Sequence, residues 1–191
     1  QVEDGTVSIG NLESPPDTAF ILEPLCAAMQ ILKTHQLKPT DAIVKKMANF
    51  ITNAGDALKT GGIHTPNHRW VVSAALSQIN ELYPSKKYIA RIDEWLSEGV
   101  FQDKDGHYPE RSMTYSFVEN NAFLTMGRLL DRPKLFEPVR NNLEMTYYYM
   151  EPDGMLVTTD SRRQDQYTTK NNIVMEFIID STGTIVSFYP K

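Results

Sequence analysis

The sequence contains a single cysteine, Cys26, so an intrachain disulfide is impossible. Cys26 lies in an apolar run, which indicates a buried, inert thiol rather than a nucleophile. No apolar run reaches the length of a membrane span, and no signal peptide is recognisable. The chain also lacks a phosphate-binding glycine loop, a pair of cysteines and a Gly-x-Ser-x-Gly elbow. These absences argue against the commonest nucleotide-binding, thiolate-metal and serine-hydrolase sites.

Positive charge is in the minority, with 19 Lys and Arg against 24 Asp and Glu and a net charge of −5. This balance argues against nonspecific binding to nucleic acid or to anionic membranes. It does not exclude an acidic glycan, because a local arginine cluster can outweigh a mild global charge. The 191 residues are 41% hydrophobic, which is a globular composition sufficient for one medium domain. Because the first residue is Gln1, we expect a trimmed chain or a fragment of a longer one.

Apolar residues recur at helical spacing over most of the chain. The first predicted helix follows Ser14-Pro15-Pro16-Asp17, with Asp17 as a candidate N-cap and Pro24 as a site where the helix kinks or restarts. Five further helices are predicted over about 39–58, 66–82, 88–96, 115–130 and 133–150. Helices of this length joined by short loops predict antiparallel hairpins stacked side by side. No strict sequence repeat is evident.

After Pro152-Asp153-Gly154 the composition changes to Ile, Val, Phe and Thr. Ser181-Thr182-Gly183-Thr184 lies between two apolar runs and predicts a hairpin turn. We therefore expect a short β element after Gly154, although residues 171–179 could instead form a seventh helix. The predicted fold is mainly α, with residues 1–152 helical and residues 153–191 a β-rich tail or the start of a β domain.

The residues with most chemical content lie in two segments that lead into helices, Thr65–Trp70 and Asp105–Tyr115. They supply the amide of Asn67, the imidazole of His68 and the phenol of Tyr115. An amide or imidazole can hydrogen-bond a sugar carboxylate and so spread the charge that develops when the neighbouring carbon loses its proton. A tyrosine can serve as the general base, provided that positive charge stabilises its phenolate. Together the three groups match the requirements of proton abstraction beside a carboxylate.

Each of the three residues also has an ordinary structural interpretation. Asn67 could simply cap a helix, and His68 could be a hydrogen-bonded core or surface residue. Tyr115 could contribute only packing. Only the combination favours the chemical hypothesis.

Four arginines could supply positive charge, namely Arg69, Arg111, Arg162 and Arg163. Arg162 and Arg163 are flanked by carboxylates, so they could form solvated ion pairs or grip uronate or sulfate groups in bidentate fashion. Arg111 could be a clamp for a substrate carboxylate or a surface charge. The stretch Tyr147–Tyr149 could present sugar-stacking faces, although we expect at least one ring to pack inward.

Two other arrangements are weaker. His64 and His68 have the spacing of a helical metal pair, but Pro66 places His64 ahead of the helix. Asp105 and Glu110 could form a glycosidase pair, yet their spacing on a loop says little about their separation in space. We therefore expect no metal and no cofactor.

In their order along the chain, these segments resemble the heparinase II/III-like family of polysaccharide lyases. The matching pieces are Pro66–Trp70, Asp105–Ser112 leading to Tyr115, Leu129–Pro133, Asp153–Gly154 and Thr159–Asp165. The resemblance runs from about Ser14 to Asp165, although Arg111 stands where many members have glycine. It implies an α/α toroid, incomplete in a chain of this length, with a cleft across its helix ends. Full-length members continue into β-sandwich modules.

Members of this family cleave acidic polysaccharides by β-elimination. In the alginate-lyase branch an adjacent Asn-His pair neutralises the substrate carboxylate, and a tyrosine about one helical hairpin later serves as base and acid. The resemblance assigns these roles to Asn67, His68 and Tyr115. The expected substrate-binding residues are Arg69, Glu110, Arg111, Arg162 and Arg163. It further implies a periplasmic or secreted bacterial enzyme that acts on an acidic polysaccharide and binds neither nucleic acid nor membrane.

Two hypotheses of other classes stay open. One is a noncatalytic glycan-binding or structural helical domain. The other is a glycoside hydrolase built on a similar toroid.

Overall fold

The computed structural model describes residues 1–35, 41–168, 175–179 and 185–190, the last two ranges as backbone only. Six α-helices contain most of the described residues: α1 (Pro15–His35), α2 (Asp41–Leu58), α3 (Pro66–Leu82), α4 (Lys86–Ser97), α5 (Met113–Leu129) and α6 (Phe136–Tyr148). A 3-10 turn, Pro133–Leu135, leads into α6. The predicted mainly α class is confirmed.

Four short strands accompany the helices. The first two, β1 (Val7–Ile9) and β2 (Asn11–Ser14), pair antiparallel around Gly10, which has a φ of +77°. The sequence did not lead us to predict this hairpin. The backbones of β3 (Met175–Ile179) and β4 (Ile185–Pro190) also pair antiparallel. The turn predicted at residues 181–184 lies outside the described residues.

No strand forms between residues 153 and 168, where the β element was expected to begin. Met150 and Leu156 form an isolated antiparallel bridge, which does not extend into a strand. The segment instead forms consecutive turns, because its polar side chains bind the start of α5 rather than a neighbouring strand. That expectation was wrong for this part of the tail.

The first helix differs from its prediction at two points. Helix α1 continues through Pro24, so the predicted restart does not occur. Its start is capped by Ser14, whose Oγ accepts the Asp17 backbone N–H at 3.2 Å. Asp17 therefore lies in the first turn of the helix and is not the N-cap. An acidic side chain in that turn also favours the helix through the positive end of its dipole.

Close contacts divide the chain into two units. The first contains residues 1–100 and 121–134, and the second contains residues 101–120 and 135–191. In the first, α1 packs against α2 and α3, and α3 packs against α4. In the second, Met113, Met145 and Leu156 form an apolar cluster. The predicted domain boundary after residue 152 stays a prediction.

Among the described residues one tight turn occurs three times, once in the first unit and twice in the second. In each copy the N–H of the first residue donates to the carbonyl of the fifth residue, at 2.8, 3.0 and 2.7 Å. The carbonyl of the first residue accepts the N–H of a glycine at the fourth position. The three turns are Val2–Thr6, Asp103–His107 and Glu151–Met155. In each, an aspartate precedes the glycine, and the glycine φ values are +95°, +97° and +83°. The Asp-Gly pairs were the signal of a repeat that our sequence analysis did not detect.

The resemblance between the first two turns extends to the helices that follow them. Ser14 caps α1, and Ser112 caps α5 by accepting the Tyr115 N–H at 3.1 Å. The residue before each serine, Glu13 or Arg111, has a left-handed φ of +46° or +49°. Tyr115 thus occupies in α5 the place that Asp17 occupies in α1.

The repeated glycines differ in how closely they approach a helix. We expect Gly106→Ala to lower the free energy of unfolding more than Gly154→Ala does. Both place alanine at a left-handed φ, at roughly 1–2 kcal/mol. Only the Gly106 change also brings a Cβ into collision with the Asn141 carbonyl oxygen, which adds roughly 1–3 kcal/mol of overpacking. Urea unfolding of both variants measures the difference, and equal losses would contradict the packing argument.

Candidate functional site

Asn67 and His68 lie in the first turn of α3, in the first unit. The helix begins at Pro66, where a fixed φ and a missing N–H suit the first helical position. Thr65 is the N-cap, so the interpretation of Asn67 as a capping residue was wrong. The Asn67 side chain is fully buried, and its Nδ2 donates to Thr65 Oγ1 at 2.9 Å. Asn67 therefore stabilises the start of α3 from its buried side.

The His68 imidazole is half-buried beside the loop that precedes α3. Its Nδ1 accepts the His64 backbone N–H at 3.3 Å. In the neutral ring the proton therefore resides on Nε2. The rings of Phe20 and His64 meet it edge-on, with centroids 6.5 and 6.0 Å away. This environment orients the ring and makes Nε2 the hydrogen-bond donor.

Asp17 is a neighbour of His68 that the sequence analysis did not assign to the site. Burial raises the pKa of Asp17, but hydrogen bonds with Ser14 and Asn11 and the charge of His68 together lower it below its usual value. Asn11 Nδ2 donates to Asp17 Oδ2 at 3.0 Å. A carboxylate thus lies within electrostatic reach of the imidazole in the first unit.

Arg69 has partners within the chain. Its Nη1 lies 2.5 Å from Glu98 Oε2, at the end of α4, and its guanidinium lies 5.0 Å from the Trp70 ring. The predicted substrate-binding role of Arg69 would require a substrate to compete with Glu98.

Tyr115 lies in the first turn of α5, in the second unit, and its ring is partly exposed. The Arg163 guanidinium carbon lies 4.0 Å from the centre of the ring. The Tyr115 hydroxyl donates to Gln164 Oε1 at 3.5 Å. The phenol is therefore held at the surface between a cation on its face and an amide at its hydroxyl, rather than packed in the core.

The two adjacent arginines have different environments. Arg163 Nη1 lies 2.7 Å from Oε1 of Glu110, whose side chain is only 5% exposed. Arg162 is exposed, and its Nη1 donates to the Pro109 carbonyl at 3.2 Å. Arg163 thus has a buried carboxylate partner, whereas Arg162 faces solvent.

Asp165 attaches the segment that carries these arginines to the start of α5. Its Oδ2 accepts from Ser112 Oγ at 2.7 Å and from the Thr114 N–H and Oγ1 at 3.2 and 3.0 Å. Its Oδ1 accepts from Ser161 Oγ at 2.5 Å. Burial raises the pKa of Asp165, but the bonds from Ser161, Ser112 and Thr114 outweigh it and lower the pKa overall. The sequence showed this residue only as a carboxylate flanking the arginines.

Arg111 bridges two carboxylates of the second unit. Its Nη1 lies 2.5 Å from Asp103 Oδ2, and its Nη2 lies 2.7 Å from Asp160 Oδ2. Tyr149 also donates to Asp160 Oδ2, at 3.1 Å. Burial raises the pKa of Asp160, but its bonds with Arg111 and Tyr149 lower it overall. Arg111 is thus partnered on both sides and is not a free surface charge.

Two aromatic features complete the second unit. Tyr147 and Tyr148 are 73% and 85% exposed, whereas Tyr149 packs inward, as we expected of at least one ring in this stretch. The buried ring of His107 meets Tyr149 edge-on at 4.9 Å. Burial and the charge of Arg111 lower the pKa of His107, so its ring is neutral at pH 7.

The predicted site residues therefore form two groups. Asn67, His68 and Arg69 belong to the first unit. The second unit holds Tyr115, Glu110, Arg111, Arg162 and Arg163. A common cleft for Asn67, His68 and Tyr115 stays a prediction.

Comparisons of the chain with protein-family models, curated proteins and solved structures give no match. Within the described ranges, no group of three or more histidine, cysteine or acidic side chains is placed to hold a metal ion. None of the described helices is both long enough and apolar enough to cross a membrane.

The hydrogen bonds of Asp165 predict a pH-dependent stability. Since its pKa is lower in the folded chain than in the unfolded one, these bonds stabilise the fold above about pH 4 and lose this contribution as pH falls through the folded pKa. We expect Asp165→Asn to cost about 2 kcal/mol near pH 7, and the difference from wild type to shrink below about pH 4. Urea unfolding across pH measures it. The exposed Asp105→Asn change is the control, and a pH-independent difference would contradict the assignment.

The bridge made by Arg111 predicts a selective loss of stability. Arg111→Lys should lower the free energy of unfolding by about 1–2 kcal/mol, because an ammonium cannot reproduce a planar guanidinium that bonds two carboxylates. The matched control is Arg162→Lys at an exposed arginine, where we expect a change within about 0.5 kcal/mol. Chemical denaturation compares the two, and equal effects would contradict a structural role for Arg111.

Proposed function

We propose that the chain is part of a heparinase II/III-like polysaccharide lyase that cleaves a uronic-acid-containing polysaccharide by β-elimination. The observation that carries this proposal is the environment of Tyr115. Its phenol is accessible at the start of a helix, with the Arg163 guanidinium 4.0 Å from the ring centre and Gln164 at the hydroxyl. These surroundings support the assignment of Tyr115 as the base.

In the proposed reaction, Tyr115 removes the proton from the carbon beside the uronate carboxylate. Electron density then forms the new carbon–carbon double bond as the glycosidic C–O bond breaks. The tyrosine proton passes to the departing oxygen, so one residue serves as base and then as acid. The guanidinium suits this cycle by its position, because it places a positive charge 4.0 Å from the centre of the ring that acts as base.

The substrate carboxylate is assigned to His68 and Asn67. His68 has the stronger support, because its Nδ1 accepts a backbone N–H, which orients the ring and leaves the proton of the neutral imidazole on Nε2. Asn67 is buried on Thr65, so it also supports the turn that presents His68. Arg162 is the most exposed of the proposed substrate-binding arginines and suits an acidic sugar.

The proposal extends to the architecture. An incomplete α/α toroid is built from repeated helical hairpins, and the turn found three times supports such a repeat. Arg111 has a left-handed φ of +49°, a conformation that favours glycine, and many members of the family have glycine at this position. On this proposal the protein is periplasmic or secreted.

A noncatalytic glycan-binding domain is the second candidate. It is favoured by the neighbouring exposed rings of Tyr147 and Tyr148, whose centroids lie 6.0 Å apart. It is also favoured by the carboxylate partners of Arg69 and Arg111, which a substrate would have to displace. Exposed tyrosine rings are common platforms for amphipathic ligands.

A panel of uronate polysaccharides separates the candidates. Ultraviolet-absorbing unsaturated product supports elimination. New reducing ends without that absorbance support a glycoside hydrolase. Binding without either product supports the glycan-binding domain and overturns the lyase proposal.

Tyr115→Phe is the sharpest test of the mechanism. Removing the hydroxyl should abolish elimination but leave substrate binding and folding intact, so the loss should appear in kcat rather than KM. Asn67→Ala should slow the reaction and also lower stability by about 1–2 kcal/mol, because it removes a buried hydrogen bond. Thermal melts should be recorded beside the rates. Tyr148→Phe, which changes an exposed ring, is the matched control. Near-normal elimination by Tyr115→Phe would contradict the assignment of Tyr115 as the base.

A further inference from the structure

We propose that Glu110 is a positioning residue for Tyr115, which acts by holding the Arg163 guanidinium on the phenol ring. The inference rests on the proposed lyase function and changes the role assigned to this pair. Glu110 and Arg163 were expected to bind substrate. The structure assigns them to the support of the base instead.

The argument begins with the burial of Glu110. A carboxylate that is 5% exposed must be paired, because burying an unpaired charge is costly. Arg163 is its cationic partner, at 2.7 Å, and the Arg163 side chain is itself only 19% exposed. The pair is therefore shielded from solvent, and moving the guanidinium away from Tyr115 would break its ion pair with Glu110.

The backbone around Arg163 is already fixed by other bonds. Ser161 Oγ accepts the Arg163 N–H at 3.2 Å, and the Glu110 carbonyl accepts the Arg162 N–H at 3.0 Å. Asp165 attaches the following residues to the start of α5. Glu110 is thus needed for the direction of the Arg163 side chain rather than for the path of the chain.

The donors of Arg163 also argue against a grip on substrate. Its Nη1 bonds Glu110, its Nε donates to Gln164 Oε1 at 3.4 Å, and its Cζ lies over the Tyr115 ring, 4.0 Å from the centroid. A bidentate bond to a sugar carboxylate would have to displace some of these contacts. Arg162, one residue away, is exposed and suits that task.

A double-mutant cycle tests whether Glu110 acts through Arg163. We expect Glu110→Gln and Arg163→Gln each to lower kcat about fivefold with little change in KM, because each removes the cation from the ring face. The double variant should be no slower than Arg163→Gln alone. Losses that multiply would show two independent roles and overturn the proposal. Arg162→Gln is the matched control and should raise KM while sparing kcat.

A second variant, at Arg163, tests the proposal even if Glu110→Gln does not fold. Arg163→Lys retains the positive charge but loses the planar face that stacks on the ring. We expect its kcat to lie between those of the wild type and Arg163→Gln, because an ammonium is still attracted to the ring face but lacks the planar fork that also bonds Glu110. A kcat no higher than that of Arg163→Gln would overturn the proposal.

Nuclear magnetic resonance supplies a readout that is independent of activity. The Arg163 side-chain protons lie over the Tyr115 ring and should be shifted upfield by its ring current. Tyr115→Leu should abolish this shift, Tyr115→Phe should retain it, and Glu110→Gln should move it towards the value of a solvated arginine. An unchanged Arg163 spectrum in Glu110→Gln would overturn the proposal.

The two readouts separate this inference from the proposed function. If the wild-type protein eliminates no uronate polysaccharide, the lyase proposal fails and the catalytic meaning of the pair fails with it. The magnetic resonance result would still decide whether Glu110 holds Arg163 on the ring.

Discussion

The second unit depends on one buried carboxylate, that of Asp165. The residue is 6% exposed, and such a group is tolerated because Ser112, Thr114 and Ser161 all donate to it. Two of these donors belong to the start of α5, and the third belongs to the turns that follow α6. The same bonds therefore complete the cap of a helix and fix the segment that brings Arg163 and Gln164 to Tyr115.

Internal pairing decides which positive charges remain available. Arg69, Arg111 and Arg163 all lie against carboxylates of the chain, whereas Arg162 is exposed. A count of arginines in the sequence therefore overstates the capacity of the described residues to bind an anion. The pairing also gives the two neighbouring arginines different environments, since Arg163 lies against Glu110 and the Tyr115 ring whereas Arg162 faces solvent.

The repeated turn places a polar side chain at the same position in the first turn of two helices. In two copies an Asp-Gly turn is followed by a residue with left-handed φ, a capping serine and a helix. The third residue after the serine is Asp17 in one copy and Tyr115 in the other. Side chains at this position stand at an open helix start, where they remain accessible and are held by the cap. The equivalence makes Asp17, beside His68, the counterpart of Tyr115 in the first unit.

The sequence by itself determined the mainly α class and the approximate extent of the helices, because apolar periodicity and prolines act locally. It also identified Asn67, His68 and Tyr115 as the residues with chemical content, because side-chain chemistry is a property of each residue. Only the tertiary structure decided that Arg163 contacts Tyr115 and that Asp165 anchors α5. These contacts join residues about 50 positions apart, and their energy comes from burial and from hydrogen bonds made across that distance. No local pattern contains that information, which is also why the turns after α6 could be mistaken for a strand.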